Sequence, residues 1–456
     1  MLNINEMLNI NEMLNINEMP ELIDIFDDII PDDEPLFFID EADTLDFFEV
    51  ALLLMDTYID ENPTAVSEPD FTETFVESVK ELFFIQFEDQ IDLNEDIEDD
   101  MNDILDDAFN IYFETFYQGR SESMASTKID ELIEINIQTD NIIQTKIEYL
   151  RSIPQPVQRT PEWYSFRHNL ITASNAYKAF ESQSNVNQLI YEKCQLLKTN
   201  SCDDKFSMVN VNSTFHWGQK YEPLSVQIYE HIYNTKVEDF GCIQHSNYKF
   251  LGASPDGINV DQKSNLYGRM LEIKNIVNRE INGIPKKEYW IQTQLQMEVC
   301  DLDECDFLET KFTEYQNFSE FCNDGQEKTF KDEFKGIIMY FSTKEGIPFY
   351  LYKPLELTDY IEIDNWEEQM IEKYESKNML WIKNHYWKLE KLSCVLILRN
   401  KKWFQDNIVQ LENVWNIILK ERVTGYEHRA PNKREKRSVI SNNGFQGCLL
   451  NIVKLQ

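Results

Sequence analysis

Gly252-Ala-Ser-Pro-Asp-Gly257 and, after a loop, Met270-Leu-Glu-Ile-Lys274 are the segments that decide how the chain folds. The second segment is strand-like, so Glu272 and Lys274, two residues apart, point to the same face. Acid and base alternating with apolar residues also occur on ordinary surface strands. Asp256, however, stands in a turn behind a proline, at the end of the preceding hairpin, where its carboxylate can converge with Glu272. Two carboxylates and the backbone carbonyl of Ile273 make an oxygen cage suited to Mg²⁺ or Mn²⁺. Lys274 beside that cage can orient or polarise an attacking water, or offset charge in a transition state. A third acid on a packed helix, Glu222, would complete a site for a second ion, and two ions would clamp an in-line displacement at phosphorus.

Upstream, Glu162 to Arg167 reads as a short helix with Pro161 at its start, where a missing N–H is harmless. Ile171-Thr-Ala-Ser174 then places hydroxyls at the opening of another helix. Hydroxyls and free N–H groups there suit a phosphate, with Arg167 close by, although Ser and Thr are also ordinary caps. Phe215 to Tyr233 reads as an amphipathic helix containing Trp217-Gly-Gln-Lys-Tyr-Glu222, and Val237 to Phe250 as two short strands with a turn at Asn247. Downstream, Pro285 to Val299 reads as a helix with Tyr289 and Gln292 one turn apart. Gln292, Gln294 and Gln296 alternate, and Gln292 is expected to look back at the site. Phe307 to Phe312 and Gly336 to Phe341 read as further strands, and Asp359 to Glu390 as one long helix carrying Trp366, Trp381 and Trp387.

The chain has 456 residues, room for about three domains at roughly 150 residues each. Its 42 basic and 82 acidic residues give a net charge of −40, which excludes a basic coat over the whole surface. The charge is concentrated: residues 1–150 hold 41 acids and 4 bases, a net of −37, and the other 306 residues balance to −3. The second part therefore has room for a local basic groove. Within the first part, residues 1–18 are three copies of MLNINE, too short a repeat to build a core. Leu45–Tyr58, Phe71–Phe87 and Ile97–Tyr117 carry Phe, Leu and Ile at helical spacing, with Phe109, Tyr112, Phe113 and Phe116 as one stripe. They predict a helical bundle with a strongly negative exterior. That exterior reads as a solvated surface, or as one that mimics the charge of nucleic acid, guards a basic channel or docks a basic partner. A further helix runs from Thr127 to Leu150, and two prolines at 154 and 156 mark a boundary. The eight cysteines contain no CxxC pair and read as free, mostly buried thiols. No apolar run approaches the ~18 residues of a membrane span, and the N-terminus is acidic where a signal peptide is basic. A soluble, intracellular protein is expected, with no membrane partner. Near the end, Lys433-Arg-Glu-Lys-Arg437 is a basic cluster that reads as a solvated tail, a DNA contact or a partner for the acidic domain.

Residues 159 to about 345 resemble the PD-(D/E)XK nuclease fold and, within it, the YqaJ-like viral recombinase and phage lambda exonuclease family. Trp163 with Arg167 and Ile171–Ser174, Trp217-Gly with Tyr221-Glu222, Ser254-Pro-Asp-Gly257, Glu272-Ile-Lys274 and Tyr289-x-x-Gln292 are similar to the family's motifs, in its order. The resemblance implies an α+β fold, with a mixed central sheet flanked by helices. It implies metal binding by Glu222, Asp256, Glu272 and the Ile273 carbonyl, two ions per site, with Lys274 serving the water and Gln292 supporting it. Arg167, Ser174 and Ser254 would hold a 5′-phosphate and Tyr289 would contact DNA. Position 184, where the phage enzyme has another arginine, is Ser184, and the nearest base is Lys178.

The expected organisation is a tail (1–18), an acidic helical domain (19–125), a helical linker (126–157), the nuclease domain (158–395), and a C-terminal helix with a basic tail (396–456). The expected activity is digestion of linear double-stranded DNA from its 5′ ends, with an endonuclease or nickase on the same site as the alternative. A reading of another class is a DNA-end-binding or partner-docking protein governed by the acidic domain. The expected setting is a giant virus with an AT-rich genome, in the host cytoplasm or the virion. A single-strand annealing protein or helicase is the expected partner, and a homo-oligomer is possible on this reading.

Overall fold

Apolar side chains at helical spacing do build helices in the acidic region: α1 (Glu41–Glu61), α2 (Phe71–Gln86) and α3 (Ile97–Thr115). The computed structural model describes residues 41–62, 65, 68–88, 97–115, 133–158, 160–197, 210, 211, 213–324 and 334–431. The MLNINE repeats, Phe116, Cys202, Cys448 and the basic cluster at 433–437 lie outside them. Phe47, Met55, Phe75, Phe83, Met101 and Leu105 are buried between the three helices. The Phe75 ring packs on Tyr58, Phe109 and Phe113 at 5.3, 5.8 and 5.7 Å between centroids. The acids are left on the outer faces, as the patterning requires.

The second unit holds a sheet of seven strands. It is preceded by α4 (Ile133–Ser152) and α5 (Pro161–His168). It comprises β1 (Ile171–Thr172), α6 (Gln183–Cys194), α7 (Thr214–Tyr233), β2 (Val237–Glu238), β3 (Ile243–Gln244), β4 (Leu251–Ala253), β5 (Gly257–Asn259) and β6 (Met270–Ile276). Then follow α8 (Lys287–Cys300), β7 (Glu304–Tyr315), β8 (Lys335–Ser342), β9 (Pro348–Tyr352), α9 (Tyr360–Glu375), β10 (Leu380–Leu398) and α10 (Lys401–Thr424). The strand order is β2-β5-β6-β7-β10-β8-β9, and β1, β4 and β3 form a separate small sheet. Only β6 and β7 run parallel in the large sheet, joined through α8, and every other pair is antiparallel. The α+β class expected from the sequence is the class observed.

The chain crosses from the small sheet to the large one at Ser254-Pro-Asp256. Pro255 has no N–H to give, so the ladder cannot continue past it. The β5–β6 pairing therefore stops at Gly257 opposite Leu271, with Asp256 N–H donating to the Leu271 carbonyl as its last rung. Gly257 is required for a steric reason: a Cβ there would lie 2.1 Å from Val237 Cγ1 on β2.

Two expectations are corrected. Asp359–Glu390 is not one helix: α9 ends at Glu375, Asn378 takes a left-handed φ of 62°, and β10 begins at Leu380. Asn tolerates that conformation and stops the helix. A register shift between Trp381 and Lys383 separates the two strand tryptophans, leaving Trp381 exposed and Trp387 buried against Gly336. Position 395 falls inside β10, and α10 delivers Phe404, Ile408, Leu411, Val414 and Ile418 to the same core as Ile147 and Leu150 of α4. The segments expected to be a linker and a terminal appendage are thus structural parts of the sheet unit. Six cysteines are free, five of them buried, as expected. Among the described residues no helix is long and apolar enough to cross a membrane.

Candidate active site

A cavity of about 270 Å³ opens beside the end of β5, the middle of β6 and the buried face of α8. Its wall contains Glu222, Asp256, Glu272, Ile273, Lys274 and Gln292 together with Arg167, Ser174 and Ser254. These nine residues come from β6, α5, α7, α8, the short helix Ala173–Ala176 and the turn between β4 and β5. Of the residues singled out in the sequence, only Tyr289 does not line it.

Asp256 is fixed by the strand it leaves. Beyond Leu271 the β6 edge has no β5 partner, and Asp256 Oδ2 accepts the Ile273 N–H at 2.7 Å. Glu272 is 1% exposed, and its carboxylate is surrounded by donors. Oε1 accepts from Lys274 Nζ and, at 2.7 Å, from Gln292 Nε2; Oε2 accepts from Gln296 Nε2 at 2.7 Å. Lys274 Nζ also reaches Gln292 Oε1 at 3.3 Å and sits 4.9 Å above the Tyr289 ring. Tyr289 stacks on Phe307, with ring centroids 5.6 Å apart, and backs the lysine. Glu222 is carried by α7. That helix is pinned to the sheet by Asn275, which donates to the Gly218 carbonyl at 3.1 Å and accepts from Ser225 and Thr310 hydroxyls at 2.7 Å each. Gly218, Glu222 and Ser225 share one helix face, so the anchor also aims Glu222.

Burial, then the charges of Glu272 and Glu222, push the Asp256 carboxyl well above the usual carboxylate range. Burial opposes the charge on Lys274, but Glu272 and Asp256 outweigh it and hold the ammonium above its ordinary pKa. Three acids crowded round one lysine are therefore under-compensated, and a divalent cation with oxygen ligands is the natural counter-charge. Among the described residues no three such side chains already stand at mutual metal-ligand distance. As positioned, Glu272 faces its three donors and Asp256 faces the backbone.

The same wall also carries groups of the opposite character. Arg167 stacks on Trp163, 4.5 Å from guanidinium to ring centroid. The Ser254 hydroxyl and the Trp163 indole N–H are buried without a hydrogen-bond partner, and both residues line the cavity. Ser174 is exposed, with its hydroxyl 3.4 Å from that of Thr172. A cation and buried donors left unpartnered in residues that line one cavity suit an anion. Lys178 does not replace the arginine missing at position 184: it is 8% exposed and paired with Glu192 at 2.9 Å.

Two residues were not found from the sequence. Gln292, Gln294 and Gln296 alternate along the sequence, yet Gln292 and Gln296 are four apart and share a helix face. Gln294, on the other face, holds the start of α10 through Asn400 N–H at 2.6 Å. Trp163 was quoted only as part of a motif, although its N–H is one of the unpartnered donors.

Residues 162–316 match the YqaJ-like viral recombinase domain. The uncharacterized protein R354 of Acanthamoeba polyphaga mimivirus is 32% identical over 333 residues, which are 65% of this chain and 59% of that protein. The chain thus spans about three fifths of the length of this curated relative. Among solved structures, an alkaline exonuclease (LHK-Exo) from Laribacter hongkongensis is 17% identical, with a TM-score of 0.31 over 59% of this chain and 95% of that one. A phage-related exonuclease from Haemophilus somnus 129PT is 10% identical, with a TM-score of 0.30 over 58% and 99%.

Proposed function

We propose that the YqaJ-like domain of this chain is a Mg²⁺- or Mn²⁺-dependent deoxyribonuclease that digests linear double-stranded DNA from its 5′ ends. The observation that carries the proposal is one cavity lined both by a carboxylate-lysine cluster and by a guanidinium with hydroxyl groups that suit an anion. Asp256, Glu272, Glu222 and the Ile273 carbonyl would hold the cations, two per site. Bound there, they would supply Lewis-acid stabilisation of the phosphorane charge and acidify the attacking water.

The chain's own residues do the rest. Lys274, held beside Glu272 and Asp256, would orient the water and offset charge developing on the phosphate. Gln292 touches both Glu272 and Lys274 and keeps them in register. Arg167, Ser254, Ser174 and the Trp163 N–H receive the terminal phosphate and so set which bond lies over the carboxylates. The expected roles are recombination or repair of viral DNA, or destruction of foreign DNA, beside an annealing protein or helicase.

Purified protein with Mg²⁺, offered linear and covalently closed circular duplexes of one sequence, tests this. Digestion of the linear form alone is expected. Cutting of the circle would replace the exonuclease with an endonuclease on the same residues, and binding without digestion would refute the enzyme.

A further inference from the structure

Arg167 has to be held still if it is to measure where a DNA end sits, and the structure shows what holds it. The last carbonyls of α5 have two cationic partners from outside that helix. Lys193 Nζ, on α6 and 7% exposed, donates to the Arg167 carbonyl at 2.8 Å. Arg422, on α10, donates through Nη2 to the His168 carbonyl at 2.9 Å and through Nη1 to the side chain of Asn169, the residue that caps the helix, at 3.1 Å. Its Nε donates to the Lys193 carbonyl at 2.9 Å, closing the set. Positive charge at a helix C-terminus is favourable, but here two such charges stand behind a third, the Arg167 guanidinium.

We propose that Arg422 and Lys193 are positioning residues for the anion-binding groups of the cavity, so that the C-terminal helix, outside the matched recombinase domain, sets how tightly a 5′-phosphorylated end is held. This rests on the proposed reading of Arg167 as a phosphate ligand. The cations also report on the ligand. Lys193 faces Arg167 from α5, Arg422 from α10, the Cys242 thiol ahead of β3, and Glu192 on its own helix. Burial, then Arg167 and Arg422, pull its pKa down to about 8. A phosphate beside Arg167 favours the charged lysine, so phosphate affinity falls as pH rises through that value.

The test is steady-state digestion of duplexes with a 5′-phosphate or a 5′-hydroxyl, by wild type, Arg422→Gln, Arg422→Lys and Lys193→Met, each checked for an unchanged melting profile. For Arg422→Gln and Lys193→Met, KM on the phosphorylated end should rise about tenfold with kcat little changed, and the preference for phosphate should shrink accordingly. Arg422→Lys should recover part of it. The wild-type preference should decline above pH 8, and that decline should vanish in Lys193→Met. Folded variants with the wild-type preference, or with equal losses on both ends, would overturn the proposal. Wild type that digests DNA without any preference for phosphate would overturn the phosphate reading and this inference with it, and leave the nuclease standing.

Discussion

Glu272 carries one buried charge and three donors, and the third of these, Gln296, separates a supporting residue from a bystander. Replacing Gln296 by Met leaves the buried Glu272 Oε2 without its donor. Loss of such an outer partner typically costs about 10- to 100-fold in metal affinity or activity. The rate of Gln296→Met at limiting Mg²⁺ should fall by that order and recover at high Mg²⁺, and a metal titration unchanged from wild type would contradict this. Asp256 gives a prediction of the opposite sign for stability. Its folded pKa is raised, chiefly by burial and then by Glu272 and Glu222, so its ionised form destabilises the metal-free fold at neutral pH, and that penalty disappears as pH falls through the raised pKa. Metal-free Asp256→Asn should melt above metal-free wild type, and Mg²⁺ should stabilise wild type but not the variant, as read by differential scanning fluorimetry. The acids and the lysine were legible in the sequence because chemistry restricts them: strand period pairs Glu272 with Lys274, and a proline delivers Asp256. Gln296 was illegible because a run of alternating glutamines looks two-sided unless the helical period is applied to each pair.

Strands and helices that carry the site are held by contacts remote from the chemistry. Gly257→Ala would push a Cβ into Val237, at a typical overpacking cost of about 1–3 kcal/mol. Adding Val237→Ala should restore much of the loss in denaturant melts. A second anchor lies on the Glu222 helix. Lys220 and Tyr221 both bond Glu314 Oε1 on β7, the latter at 2.8 Å, and His385 on β10 meets Oε2 at 3.0 Å. Burial opposes the Glu314 charge, but His385 and Lys220 overcome it and bring its pKa down to about 2. A depressed carboxylate stabilises the fold above its unfolded pKa and loses that contribution as pH falls from about 4.5 to about 2. Glu314→Gln should therefore cost on the order of 3 kcal/mol at neutral pH, with the difference closing towards pH 2. None of this network was visible in the sequence, since its members are separated by up to 165 positions. The same limit misled the reading of β10: tryptophans at 366, 381 and 387 suggested one helix, whereas the left-handed Asn378 divides the segment.

Across the whole chain, charge divides into −37 over residues 1–150 and −3 over the rest. The bundle of α1, α2 and α3 was legible because amphipathic helices follow from spacing alone; what its acids do was not, because charge does not name a partner. An acidic domain that competes with DNA for a basic groove should act through salt-screened forces. Removing residues 1–125 should then raise activity at low ionic strength and weaken its salt dependence, and no change in either would rule out autoinhibition. The central claim concerns the cavity itself. Its most direct test is a linear duplex with a labelled 5′-phosphate, incubated with Mg²⁺ and either wild type or folded Lys274→Ala. Labelled mononucleotide is expected from wild type, with a rate about 100- to 10,000-fold lower from the variant. Labelled fragments of intermediate length, or equal rates from the two proteins, would contradict it.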